Sequence, residues 1–141
     1  MAETVQFDLV SPERVLSSVQ AREVQIPGAD GDLTAMPDHA PVITTLRPGI
    51  VRVSGPDGQA DYVVTGGFVE IGGDAISLLA EQAVPKEEMT QEAFAELVTD
   101  AKARLEKAKD AADGDDMGVD EATKLLADLQ SMGSDIGFSM S

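Results

Sequence analysis

Near residue 88 the hydrophobic period of the chain changes, and no single type of secondary structure satisfies both sides of that change. From Thr4 to about Val84 apolar and polar residues alternate; in "VQFDL", Val5, Phe7 and Leu9 share one face and Gln6 and Asp8 the other. "REVQI", "IVRVS", "DYVVT" and "AISLL" read as further short strands. Between them, "SPE", "PGADGD", "RPG", "GPDG", "GG" and "GGD" supply the glycines and prolines that turns require. Gly66-Gly67 and Gly72-Gly73 read as turns or bulges within this strand-rich stretch. Short strands at close spacing predict an antiparallel sandwich or a flattened barrel.

After "VPKEEMT" the pattern becomes helical. Glycine and proline vanish from Met89 to Ala112, and Phe94, Val98, Ala101, Leu105, Ala108 and Ala112 recur at helical spacing. Thr90 is the expected N-cap, and Met89 and Phe94 occupy the positions of a hydrophobic staple. Asp100 and Arg104 are expected to pair along the helix. "DGDDMG" then interrupts the pattern, and Ala122, Leu125, Leu126, Leu129 and Met132 form a second stripe, with Gly133 as its expected stop. The reading is an antiparallel hairpin whose seam joins Phe94, Val98, Ala101, Leu105 and Ala108 to Leu125, Leu126 and Leu129. The expected domains are 1–86 (sandwich) and 87–134 (hairpin), followed by a mobile tail at 135–141. Two helices bury only one seam, so the hairpin must pack on the sandwich, on another chain, or alternate between them.

Charge and composition limit the partners. The net charge of −16 repels nucleic acid and anionic lipid headgroups and favours basic protein surfaces. No apolar run reaches the roughly 18 residues a membrane helix needs. The acidic, alternating N-terminus is unlike a signal peptide. Any membrane location is therefore expected to be indirect, through other proteins. The absence of cysteine excludes disulfides and thiolate metal sites.

His39, the sole histidine and the conventional candidate for a catalytic base, lies in "MPDHAPVITTLRPG". No G-x-S-x-G, G-x-x-x-x-G-K-S/T or G-x-G-x-x-G accompanies it. A zinc hydrolase would need more histidines. The acidic loop from Asp113 fails as a calcium loop, because Met117 and Lys124 stand where oxygen ligands are required. Pro37 and Pro41 stiffen the segment around Asp38 and His39, which suits a structural corner or an interface. Asp30, Asp32 and Asp38 read as turn-formers or as a negative patch for a basic partner, with metal binding or carboxylate catalysis as the other option. No catalytic residue, metal site or cofactor is expected. The rival reading is a stand-alone small enzyme or ligand-binding sandwich that uses Asp38 and His39.

The ordered segments "FDLVSPERVLSS", "VQIPGADGDLTAMPDHAPVITTLRPGIVRV", "YVVTGGFVEI" and "ISLLAEQA" resemble the epsilon subunit of F-type ATP synthases of proteobacterial type. The signature is P-G-x-x-G-x-L-x-x-x-P-x-H-A-P from Pro27 to Pro41, followed by "LRPG" and the "GGF" strand. The resemblance covers residues 3 to about 85, and the hairpin agrees in layout more than in sequence. It implies an N-terminal sandwich of about ten strands and a C-terminal helical hairpin. It also implies a rotor-stalk role: binding the gamma subunit, resting on the c-subunit ring, and coupling proton-driven rotation to ATP synthesis without holding the catalytic site. A peripheral position on the cytoplasmic face of the bacterial plasma membrane follows from it. Asp30 and Asp32 match the positions of loop carboxylates that face the ring, and Asp38 and His39 belong to the same region.

The hairpin departs from the family. Some relatives bind ATP through I/L-D-x-x-R-A, whereas this chain has Val119, Asp120, Glu121, Ala122, Thr123 and Lys124, with Thr123 at the arginine position. Inhibitory versions also carry several basic residues on the second helix that can meet alpha and beta subunits. From Val119 onward this chain has only Lys124, against Asp120, Glu121, Asp128 and Asp135. The departure predicts a poor ATP sensor and a weak inhibitor of hydrolysis.

Overall fold

The computed structural model describes residues 4–37, 40–56, 58–111 and 117–137. Ten strands come first: β1 (Val5–Val10), β2 (Val15–Ala21), β3 (Glu23–Gly28), β4 (Gly31–Ala35), β5 (Val42–Leu46), β6 (Gly49–Gly55), β7 (Gly58–Val64), β8 (Gly67–Ile71), β9 (Ala75–Ala80) and β10 (Ala83–Pro85). A 3-10 turn, Lys86–Glu88, precedes helices α1 (Gln91–Ala111) and α2 (Met117–Ile136). The chain divides into two compact units between Glu88 and Met89.

In the first unit, β5, β8, β9, β1 and β2 run side by side, and β10, β7, β6 and β3 continue the same hydrogen-bonded path, with β4 on the free edge of β3. The β1–β9 pairing is parallel and the other pairings are antiparallel. Alternation sends Val5, Phe7 and Leu9 of β1 inward to meet Val69 and Ile71 of β8, Ile76 and Leu78 of β9, and Val51 and Val53 of β6 in one buried core. Removing these apolar side chains from water is the main favourable term in folding this unit.

β3 joins the two halves of the path. Val24 and Gln25 pair with β6, whereas Gly28 pairs with Leu46 of β5. Pro27, which has no N–H to give a ladder, sits at that change of partner.

The second unit is the hairpin. The Thr90 hydroxyl accepts the Ala93 N–H at 3.0 Å, capping α1. Phe94, Val98 and Ala101 are buried, as are Ala122, Leu129 and Met132 of α2. Leu105, Ala108, Leu125 and Leu126 are half-buried, and Ala112 lies outside the described residues. Gly133 is not the helix stop that the sequence suggested. α2 runs on through Asp135 and Ile136, so these two residues are helix rather than tail. The stop is Gly137, which takes φ of 95° and donates its N–H to the Gly133 carbonyl at 2.9 Å. Gly133 serves the seam instead: a β-carbon there would overlap the ring of Phe94. The ion pairs described in the hairpin are Glu106–Lys109 and Lys124–Asp128, and the expected Asp100–Arg104 pair is not among them.

Candidate functional site

The turn between β3 and β4 is held by several specific contacts from a distant part of the chain. Its sequence, Pro27-Gly28-Ala29-Asp30-Gly31-Asp32, must reverse direction within two residues, because Gly28 already pairs with Gly31. Gly31 takes φ of 140°, a conformation that side-chain-bearing residues resist.

"LRPG" locks this turn from across the sheet. The Arg47 N–H donates to the Pro27 carbonyl at 3.0 Å, and the Ala29 N–H donates to the Thr45 carbonyl at 2.9 Å. The Arg47 guanidinium reaches further, with one nitrogen donating to the Gly28 carbonyl and another to the Asp32 carboxylate. Gly49 leaves room for Pro27, since a β-carbon there would stand 2.7 Å from the proline's own. The two most distinctive sequence blocks, "PGADGD" and "LRPG", are thus the two halves of one clamp.

The clamp divides the two carboxylates. Asp32 is held by Arg47, while Asp30 is exposed at the tip. Because the Asp32 side chain is 78% exposed, water screens the pair, and its value lies more in fixing geometry than in stability. The arrangement displays a negative, rigidly held tip suited to a basic or polar protein surface. Asp38 and His39, the other two interface candidates, lie outside the described residues. Arg47 was missed as a candidate, although an arginine beside "PG" that follows an acidic turn is a readable signal of charge pairing.

The nucleotide-motif position lies far along the sequence, on α2. Asp120 is exposed, and the Thr123 hydroxyl donates to the Val119 carbonyl at 2.7 Å, back into its own helix. Lys124 is engaged with Asp128, at 3.4 Å. Neither residue supplies the planar, forked cation that binds a phosphate bidentately.

Among the described residues, no helix is long and apolar enough to cross a membrane. The family described as ATP synthase, Delta/Epsilon chain, beta-sandwich domain, matches residues 4–86. Over its length the chain is similar to the ATP synthase epsilon chain of Ruegeria sp., with 53% identity covering 95% of this chain and 97% of the relative. It is 54% identical to that of Paracoccus denitrificans, covering 97% of this chain and 93% of the relative. Among solved structures, it resembles a chain of the Euglena gracilis mitochondrial ATP synthase (OSCP/F1/c-ring) with a TM-score of 0.71, 19% identity, and coverage of 96% of this chain and 83% of that one. The fold is therefore shared even where the sequence has diverged. With a sandwich that matches the family domain, relatives alike over nearly their whole length, and a helical hairpin in the same order, the chain belongs to the ATP synthase epsilon-chain family.

Proposed function

We propose that the chain is the central-stalk subunit of a bacterial F-type ATP synthase, which couples rotation of the c-subunit ring to ATP synthesis through gamma and performs no catalysis itself. The observation that carries this reading is the near full-length similarity to epsilon chains. Similar folds in two mitochondrial ATP synthase assemblies, one described as OSCP/F1/c-ring and one as central stalk/c-ring, support it. In this role the chain is held at the cytoplasmic face of the plasma membrane through its partners. Asp30, at the tip of the Arg47-clamped turn, faces the basic and polar loops of the ring, and Asp32 keeps that tip in place. Asp38 and His39 are the further interface candidates of this reading by sequence alone. Membranes stripped of this subunit should regain ATP-driven proton pumping when the chain is added back. Reloading without any gain in pumping would sink the reading.

The hairpin is a weak inhibitor of hydrolysis in this account. The support is chemical: α2 carries Lys124 as its only base after Val119, and that lysine is engaged by Asp128. An inhibitory helix would need free cations to meet acidic catalytic subunits. Removing residues 87–141 is expected to leave ATP hydrolysis by the assembled complex nearly unchanged. A severalfold rise in hydrolysis on truncation would contradict it.

A further inference from the structure

The core-facing row of β2 breaks the apolar rule that the rest of the sandwich obeys. Ser17, Val19 and Ala21 pair with Leu9, Phe7 and Val5 of β1, all three buried in the core, so they project to the inner side of the sheet. On β7, Ala60 and Tyr62 pair with the core residues Val53 and Val51 of β6 and share their side. The two inward rows meet where the strand path has its ends. β2 is the last strand of that path, and β10 pairs with β7 only from Tyr62 onward, so among the described residues 58–61 have no further strand beside them. Val19 is 42% exposed although it stands opposite the fully buried Phe7, and Ala60 is exposed as well. Between the rows lies a cavity of about 140 Å³, lined among others by Ser17, Val19, Gln20, Gln59, Ala60 and Tyr62. Its end is closed by backbone: the Arg22 N–H donates to the Ser54 carbonyl at 2.7 Å, and a β-carbon on Gly55 would stand 2.6 Å from the Gln20 carbonyl.

The lining says what the cavity takes. Ser17 is 8% exposed, and its hydroxyl has no hydrogen-bond partner among the described residues. Among those residues no side-chain polar atom is both fully enclosed and unpartnered, so this hydroxyl opens into the cavity that Ser17 lines. A polar group held in a core row calls for a partner. The Gln20 amide is already engaged, donating to Gln6 at 2.6 Å and accepting from the Thr4 hydroxyl at 3.0 Å. None of the lining residues is charged, so an ion entering the cavity would lose hydration without a counter-charge. An anion would also be repelled by the net charge of −16. Size sets the rest, because an apolar cavity of about 150 Å³ accommodates one benzene ring. We propose that this cavity binds a small uncharged molecule, a single aromatic ring bearing one hydroxyl. The ring lies among Val19, Ala60 and the Tyr62 ring, and its hydroxyl bonds that of Ser17. The site is independent of the stalk-subunit reading, since no residue of the β3–β4 turn lines it.

The test titrates the full-length, ¹⁵N-labelled chain with phenol and, separately, with benzene, and follows the backbone amide resonances. Phenol is expected to give saturable shifts centred on Ser17, Val19, Ala60 and Tyr62. It should bind about fivefold to tenfold more tightly than benzene, the difference that one hydrogen bond makes. Ser17→Ala should bring the two ligands to equal affinity, and Ser17→Thr, which keeps the hydroxyl, should restore the preference for phenol. Ala60→Leu should abolish binding of both by filling the cavity; the same spectra report folding, and Ala60→Val gives a milder filling if the leucine variant misfolds. Phenol shifts that do not saturate, or that saturate at residues away from the cavity, overturn the proposal. So does a preference for phenol that survives Ser17→Ala, or binding that natively folded Ala60→Leu retains.

Discussion

Phe94→Ala is expected to destabilise the helical hairpin by about 3–5 kcal/mol, the usual cost of emptying a buried aromatic site. The ring is 1% exposed and lies directly on Gly133, where no β-carbon fits. The same contact predicts the reverse experiment. Gly133→Leu inserts bulk against an unmoved ring and is expected to cost about 1–3 kcal/mol. Combining the two should cost less than the sum, because the new leucine occupies the space the ring vacated. Thermal unfolding followed by circular dichroism at 222 nm, a wavelength that reports helix, gives all three values. Strict additivity would mean that the two side chains do not share one site.

The hairpin also shows which parts of the fold are legible in sequence. A 3.6-residue stripe and a threonine before it specify a helix start, and the Thr90 cap forms as expected. The end of α2 was misplaced because two glycines compete for the role of stop, and sequence does not show which takes positive φ. Gly133 faces a ring and Gly137 faces none, so the helix passes the first and ends at the second. In the sandwich, β1, β3, β6 and β9 were visible because their apolar residues alternate, and β7 because Tyr62, Val63 and Val64 form a short β-prone run between turn signals. β2 and β4 were not. β2 interrupts its alternation with Ser17 and Ser18 beside a bulge, and β4 begins inside a segment rich in glycine and aspartate that reads as turn. Pairing supplies what local pattern lacks: β4 exists because all five of its residues pair with β3.

Of the candidate site, the acidic turn was legible and its clamp was not. Asp30 and Asp32 look equivalent in sequence, two residues apart on either side of a glycine. Only the fold brings Arg47 beside one of them, across a separation of 15 positions. Long-range charge pairs of this kind leave no periodic trace in the chain.

The clamp sets the second large expectation. Arg47→Ala removes donors to both the Gly28 carbonyl and the Asp32 carboxylate, so only backbone hydrogen bonds still link the turn to the β5–β6 segment. Stability should fall by about 1–2 kcal/mol, the lower part of the range for charge-assisted hydrogen bonds because the carboxylate is solvated. Arg47→Lys keeps the charge but lacks the planar fork, and should recover only part of the loss. Asp32→Lys places a cation against Arg47 and should spring the turn from the other side. In both cases coupling falls because the tip is no longer held, with the sandwich otherwise folded.

Asp30→Lys isolates the tip itself, since Asp30 is exposed and its replacement leaves the clamp intact. The decisive measurement is the ratio of protons pumped to ATP hydrolysed in membranes depleted of this subunit and reloaded with wild type or with Asp30→Lys. The predicted result is full recovery of the ratio with wild type, and a clearly lower ratio at equal loading with the lysine variant. An equal ratio for both proteins, at equal occupancy of the complex, would contradict the claim that this turn couples the chain to the rotor ring.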